Sequence, residues 1–427
     1  MINDILSIYK GVNVEDLPTP SFIIKEDIFN QNCKLMLENV QELSKVTDTE
    51  IKFRPHVKTH KTAKGSFKQL GHGIIDTPYD SILISTIKEA EGLLNYQNMI
   101  HQNYVKDITF SLPACIPEIL EQLQEISKRV DHLRIFVDNP EHIDNLIKFG
   151  KPKPDTKWSV FLKIDIGTKR AGVVPRSETF NEIIDKFNDP KTLECVELFG
   201  VYAHAGHSYG SNNILEAHQL LLKEIQAVNE TAKDIQELLP KFDASKLVLS
   251  VGATPTSNSL RIRDEPQIID YIKNRLIAVL EIHCGNYCLY DLQQVSTGCV
   301  SKEEVSGFVL GSVVSSYKER NEILTNTGVM SLTREASRIK GFGLCVPFNE
   351  LSSEKEEYNI TWYVDRISQE HGILKPYFEG DGLLLPIGSK MAIIPQHACI
   401  TMGQFPYYFV LDTNNNVSDI WYPYQKW

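Results

Sequence analysis

Nowhere in the 427 residues do about 18 apolar residues run together, the length a bilayer-spanning helix needs. The first residues, MINDILSIYKGVNVED, have no basic stretch followed by an apolar core, so no secretory leader is expected. Basic charge is short as well. Lys and Arg number 44 against 55 Asp and Glu, for a formal net charge of -11, which argues against general nucleic-acid binding because a phosphate backbone attracts a basic face. The eight cysteines, at 33, 115, 195, 284, 288, 299, 345 and 399, lack the dense spacing of a disulfide-stapled domain. Reduced thiols are expected, and the N-x-S/T matches at Asn229, Asn359 and Asn416 then carry no meaning. Also missing is a G-x-G-x-x-G turn, the mark of a doubly wound dinucleotide fold.

What is there reads as an ordinary globular protein, 42% hydrophobic and 23% charged, expected in the cytoplasm without membrane or nucleic-acid partners. Strand-like runs at Ile51–Lys58, Ser81–Thr86, Asp107–Leu112, Arg134–Asp138, Trp158–Asp165, Leu198–His204, Leu247–Val251 and Leu276–His283 alternate with helix-like stretches. Eight strand–helix units in this span predict an α/β fold, a (β/α)8 barrel over residues 21–285. From Asn286 the rhythm breaks into short strands such as Gly307–Tyr317, Lys390–Pro395 and Tyr407–Leu411. A smaller all-β domain is expected over 286–427, joined by residues 1–20.

The first barrel strand reads IKFRPHVKTHKT. As a strand with period two it sets Ile51, Phe53, Pro55 and Val57 against Lys52, Arg54, His56 and Lys58. A cationic face is ordinarily a solvated edge. In a barrel, whose chemistry sits at the C-terminal strand ends, it points instead to an anion. The other ends carry functional side chains too: Lys163 and Asp165 with Arg170 in GTKRAG; Tyr202 and His204 with Tyr209; and Gly252-Ala253-Thr254 in the small, hydroxyl-rich SVGATPTSNS. Such a loop suits a phosphate, and with Lys58 it suggests pyridoxal phosphate bonded to that lysine, the ring serving as electron sink.

In PQHACITMG, His397 and Cys399 form an H-x-C pair. On a strand both would point one way, and an imidazole with a thiolate suits a zinc ion with open positions. A rival group, His283, Cys284 and Cys288, needs a turn to assemble.

The segments FRPHVKTHKT, KIDIGTKRAG, YAHAGHSY, SVGATPTSNS and PQHACITMG resemble, over nearly the whole chain, the D-serine dehydratase and D-threonine aldolase family of fold type III pyridoxal-phosphate enzymes, most closely its eukaryotic, fungal-type dehydratase branch. The resemblance implies an alanine-racemase-like barrel with a β domain, a homodimer, and a Schiff base on Lys58. It implies cofactor contacts at Tyr202, Tyr209, Gly252 and Ala253, with Thr254, His204 and Arg170 beside them. It further implies zinc on His397 and Cys399, with Asp replacing Cys399 in aldolase relatives. The expected reaction is elimination of D-serine to pyruvate and ammonia, with D-threonine as a further substrate. His56 and His60 are expected as supporting or proton-relay groups. The alternatives are a metal-dependent D-threonine aldolase, a metal-free racemase and a non-catalytic cofactor carrier, the last disfavoured by the β domain.

Overall fold

The computed structural model describes residues 2–262, 266–348, 351, 357–378, 380 and 383–427. Two compact units result: residues up to Lys34 with Asn286–Pro423, and Leu35–Gly285 with Tyr424–Trp427. The first boundary thus falls inside helix Glu26–Thr47 rather than at residue 21. The cause is β1 (Ser21–Lys25), which pairs with strands of the β unit.

The larger unit is a parallel barrel of β2 (Ile51–Pro55), β3 (Ser81–Ile84), β4 (Asp107–Phe110), β5 (His132–Val137), β6 (Trp158–Lys163), β7 (Val196–Tyr202), β8 (Val248–Val251) and β9 (Val279–Cys284). Each sits between its neighbours in chain order, with β9 against β2. The ring closes between β2 and β3 through a single bridge, His56 to Leu83. Pro55 explains why. The His56 N–H donates to Cys284 of β9 and the Val57 N–H to Leu83 on the β3 side, so the N–H that Pro55 lacks belongs to the β3 ladder. The strand therefore does not run on to Lys58 as its period-two reading implied. β2 ends at Pro55, and residues 57–60 form a turn closed by the Lys61 N–H to the Val57 carbonyl at 2.9 Å.

The helices follow their local signals. Helix Pro140–Phe149 starts behind Asn139, whose side chain accepts the Glu141 N–H, carries Pro140 in its first turn, and stops at Gly150 with φ +92°. Helix Ile214–Leu238 is capped by Asn213 and buries Ala217, Leu221, Ile225, Val228, Ala232 and Ile235 on one face, with Glu224 among them.

Inside the barrel, Leu83, Phe136, Phe161, Tyr202 and Val248 pack together. Next to this apolar layer lies an ionic one. Arg54 Nε donates to both Glu281 oxygens at 3.0 and 3.1 Å, and a terminal nitrogen to Asp107 at 2.7 Å. Asp107 in turn accepts from Arg134, which also reaches Ser159. The cationic face of β2 therefore meets the protein's own carboxylates at Arg54, and only its end is left for an external anion.

The β unit adds β10 (Gly307–Tyr317), β11 (Glu322–Thr325), β12 (Gly343–Val346), β13 (Trp362–Ile367), β14 (Gly372–Pro376), β15 (Lys390–Pro395), β16 (Tyr408–Leu411) and β17 (Val417–Trp421). Six strands in the order β10, β15, β12, β13, β14, β11 close back on β10 as an antiparallel barrel, and β1, β16 and β17 extend it. The long β10 serves both by bending. Its first half pairs with β1 and β15, its second with β11, and the register shifts between Val313 and Ser315.

Candidate active site

Lys58 sits half-buried in the turn after β2, and its neighbours hold that turn on every side. His56 Nε2 bonds Ser85 Oγ at 2.9 Å. His60 Nε2 bonds Gln69 Oε1 at 2.9 Å, while its Nδ1 accepts the Thr62 N–H at 3.1 Å. Lys61 pairs with Glu89, whose other oxygen accepts the Ser85 N–H. The Tyr424 N–H donates to the Lys61 carbonyl at 2.8 Å. Burial holds both histidines neutral, His60 down to about 4. His56 and His60 are thereby buttresses of the Lys58 turn.

Around this turn the barrel mouth gathers cations. Burial first, then Arg170 and Lys58, lower Lys163 to about 8, with Asp138 pulling the other way. Burial, Lys58, Arg170 and Lys163 bring His204 down to about 3. A neutral His204 donates its Nδ1–H to the Gly252 carbonyl at 2.8 Å, because a carbonyl only accepts, and Nε2 keeps its lone pair. His283 lies flat on Tyr202, ring centroids 4.1 Å apart, and its Nδ1 meets Ser250 Oγ at 3.0 Å. Ser250 passes its own hydroxyl hydrogen to Glu281 at 2.8 Å, which joins the imidazole to the ionic layer below.

Gly252 is a position only glycine can fill: φ is +143°, and a Cβ there would lie 2.0 Å from the His283 carbonyl oxygen. The segment after it is not the open loop its composition suggested. It is a short helix, Thr254–Asn258, and its hydroxyls serve the protein itself. Thr256 Oγ1 accepts the Ala253 N–H at 2.9 Å, Ser257 donates to the His283 carbonyl and Ser259 to the Thr256 carbonyl. Pro255 at the start of the helix is the signal that identifies it. The Ala253 N–H is itself given to Thr256 and the Gly252 carbonyl accepts from His204, so a phosphate seated on the backbone of Gly252, Ala253 and Thr254 would take over bonds the protein now makes to itself.

Among the expected residues, then, Lys58, Arg170 and His204 share one electrostatic neighbourhood, and Gly252 is bonded to His204. Tyr202 is buried at its edge, and burial raises its phenol. Arg170 is exposed on a loop pinned by Thr168 Oγ1 to the His204 carbonyl and by the Gly172 N–H to Asp138. Asp165 turns back onto its own loop, accepting the Gly167 and Lys169 N–H groups. Tyr209, 36% exposed, lies on the Gly206–Gly210 turn. Lys58, Lys163 and Arg170, with Asp138 offsetting Lys163, beside a glycine-only backbone approach, fit an anionic aldehyde cofactor such as pyridoxal phosphate.

In the β unit, His397 and Cys399 do not lie on a strand. β15 ends at Pro395, His397 caps the helix Ala398–Met402, and Cys399 stands in its first turn. The geometry that brings them together is that turn: burial disfavours the imidazolium, yet the Cys399 side chain, Asp291 and Glu335 raise His397 to about 9. Asp291 fixes the helix start by accepting the Ala398 N–H at 2.8 Å. An imidazole and a thiol facing each other beside two carboxylates fit a zinc ion as a donor set. Among the described residues no group of three or more His, Cys, Asp or Glu side chains is placed to hold a metal ion, so the zinc expectation rests on the donor types of His397 and Cys399 alone. The rival group is set apart differently. His283 is engaged with Ser250, and burial raises the Cys284 thiol, which disfavours the thiolate that a metal needs.

The partners of Arg54, and the places of Glu224 and Asp291, were not anticipated. One clue was present: Asp107 and Glu281 are lone acids within otherwise apolar strands.

Residues 32–263 match the family described as alanine racemase, N-terminal domain, and residues 306–411 the one described as putative serine dehydratase domain. The D-serine dehydratase of Saccharomyces cerevisiae is 54% identical over 100% of both chains. The chain belongs to the D-serine dehydratase family. A second member, from Schizosaccharomyces pombe, is 39% identical over 98% of this chain and 94% of its own. Among solved structures, D-threo-3-hydroxyaspartate dehydratase from Delftia sp. superposes with a TM-score of 0.77 at 23% identity, covering 97% of this chain and 100% of that one. It shares the alanine-racemase-like fold of a barrel with a separate antiparallel β unit.

Proposed function

We propose that the protein converts D-serine to pyruvate and ammonia with pyridoxal phosphate on Lys58 and a zinc ion on His397 and Cys399. The full-length identity to two curated D-serine dehydratases carries this reading. The barrel mouth supports it with a lysine held at the end of β2 among cations that await an anion.

The bound cofactor supplies an electron sink for the carbanion at the substrate's α carbon, and zinc supplies a Lewis acid for the departing hydroxyl. Lys58 Nζ would hold the cofactor through its aldehyde, and its free amine would take the α-proton. The Gly252–Thr254 backbone holds the phosphate. His204, neutral and fixed through Gly252, offers an uncharged face to the ring, and Arg170 and Lys163 keep the mouth positive toward the phosphate and the substrate carboxylate. Loss of the α-proton and the β-hydroxyl as water leaves 2-aminoacrylate, and water returning in its hydrolysis gives pyruvate and ammonia.

A homodimer in the cytoplasm completes the proposal, with light scattering as the check on assembly. No helix among the described residues is long and apolar enough to cross a membrane. The deciding experiment gives the purified protein D-serine, L-serine or D-threonine, with and without a chelator. Pyruvate from D-serine, absent from L-serine and suppressed by the chelator, supports the reading. Glycine and acetaldehyde from D-threonine with no pyruvate from D-serine would replace it with an aldolase.

A further inference from the structure

Glu224 is a buried acid that none of the chemistry above uses. It stands on the inward face of helix Ile214–Leu238 at 0% exposure. Its Oε1 accepts the Ala205 N–H at 2.6 Å, in the turn that follows β7. The Gly252 N–H and the Thr256 side chain, in the turn that follows β8, also favour its charged form. Its Oε2 is buried without a hydrogen bond of good geometry. One carboxyl therefore ties together the two turns that carry His204 and the Gly252–Thr254 backbone.

We propose that Glu224 is a positioning residue that takes up a proton when the cofactor phosphate seats on the Gly252–Thr254 backbone, so that cofactor and proton bind together. This rests on the reading that the phosphate sits there. A dianion arriving across one layer of backbone from a buried carboxylate puts like charges close in a low-dielectric interior, and the carboxyl relieves the conflict by becoming neutral. A neutral carboxyl gains as well an O–H for Oε2 to donate.

Lys58, Arg170 and Lys163 act on His204, yet no lysine or arginine among the described residues is among the groups that set the charge of Glu224. From β7, the Tyr202 phenol feels its charge. On its own helix, His218 directs Nδ1 to the Ser259 carbonyl at 3.2 Å. In the absence of any ligand, burial already pushes the Glu224 carboxyl up to about 7, so a modest added field moves it across neutral pH.

The test loads apoprotein with pyridoxal phosphate from pH 6.5 to 8.5, in wild type and in Glu224→Gln, following the visible cofactor band and the proton uptake by calorimetry in two buffers. Wild type is expected to take up more protons than Glu224→Gln, from about one-quarter at pH 6.5 to about one at pH 8.5. Its affinity relative to the variant should fall by up to about tenfold per pH unit above 7. Equal proton uptake, with parallel affinity curves, overturns the proposal and leaves Glu224 as a brace. If wild type forms no cofactor band at all, the functional reading fails instead. Should the variant not fold, a wild-type infrared difference spectrum decides: a protonated-carboxyl stretch appearing on loading supports the proposal, and its absence refutes it.

Discussion

Replacing Arg54 by Met removes a cation that hydrogen-bonds both Glu281 and Asp107. Arg54 is 2% exposed and Glu281 1%, so water does not screen the pair and cannot solvate the carboxylates left behind. Breaking a buried, hydrogen-bonded ion pair from one side costs about 3–5 kcal/mol. For a unit of this size each kcal/mol lowers the melting temperature by roughly 2–4 °C, which makes the expected fall on the order of 10 °C. The pH dependence gives a second handle. Burial pushes Asp107 up, and Arg54 and Arg134 outweigh it and hold the carboxyl below its usual range. Its stabilising contribution is thus present above the unfolded-state value near ~4 and is lost as pH falls through the lower folded value. In Arg54→Met the Asp107 carboxyl, left with Arg134 alone, holds its proton more readily, so the deficit against wild type narrows as pH falls below ~4. Urea titration followed by circular dichroism measures both. A loss under ~1 kcal/mol at pH 7, or a deficit that widens on acidification, refutes the buried network. Adding Glu281→Gln to the Arg54→Met background removes one orphaned charge and is expected to restore part of the loss.

Gly252→Ala forces a Cβ to within 2.0 Å of the His283 carbonyl at φ +143°, so it is expected to cost about 1–3 kcal/mol and to weaken cofactor binding, read by titration of the visible band. Truncation before Tyr424 removes the N–H that bonds Lys61 and the ring seated against Gly92, and should lower cofactor affinity while leaving the circular dichroism spectrum intact. Cys399→Ala is expected to lose pyruvate formation and bound zinc, by atomic emission, while keeping the cofactor band. His204, at about 3, stays neutral across the working range, so His204→Gln should leave the apparent pKa values of the pH–rate profile between pH 5 and 8 in place.

The barrel was legible because each strand carries its own apolar run and each helix its own punctuation; Pro140–Phe149 and Pro266–Arg275 fall where Asn139, Gly150 and Pro266 announce them. In the β unit, β10 and β15 were readable as long apolar runs. β16 was readable too, but β11, β12, β14 and β17 were not, because their partners lie far along the chain. At the site, single side chains on strand ends were visible, but their directions were not. Pro55, with no N–H for a ladder, marked a bend in the strand just before Lys58, and the structure ends β2 there and sets Lys58 in a turn. The His397–Cys399 pair was reached through strand geometry, whereas a helix start brings the two together. Glu224 was invisible for another reason: a glutamate in a long polar-looking helix declares itself only when Ala205 and Gly252 fold against it.

The most direct measurement asks which lysine holds the cofactor. Lys58, Lys61 and Lys163 all stand at or near the mouth of the barrel, and Lys61 is paired with Glu89 while Lys163 is the one lowered to about 8. Borohydride reduction of the cofactor-loaded protein followed by peptide mapping fixes the modified residue. The pyridoxyl group on Lys58, with D-serine turnover abolished in proportion to labelling, is the predicted result. The label on Lys163 or Lys61, with Lys58 unmodified, would contradict it.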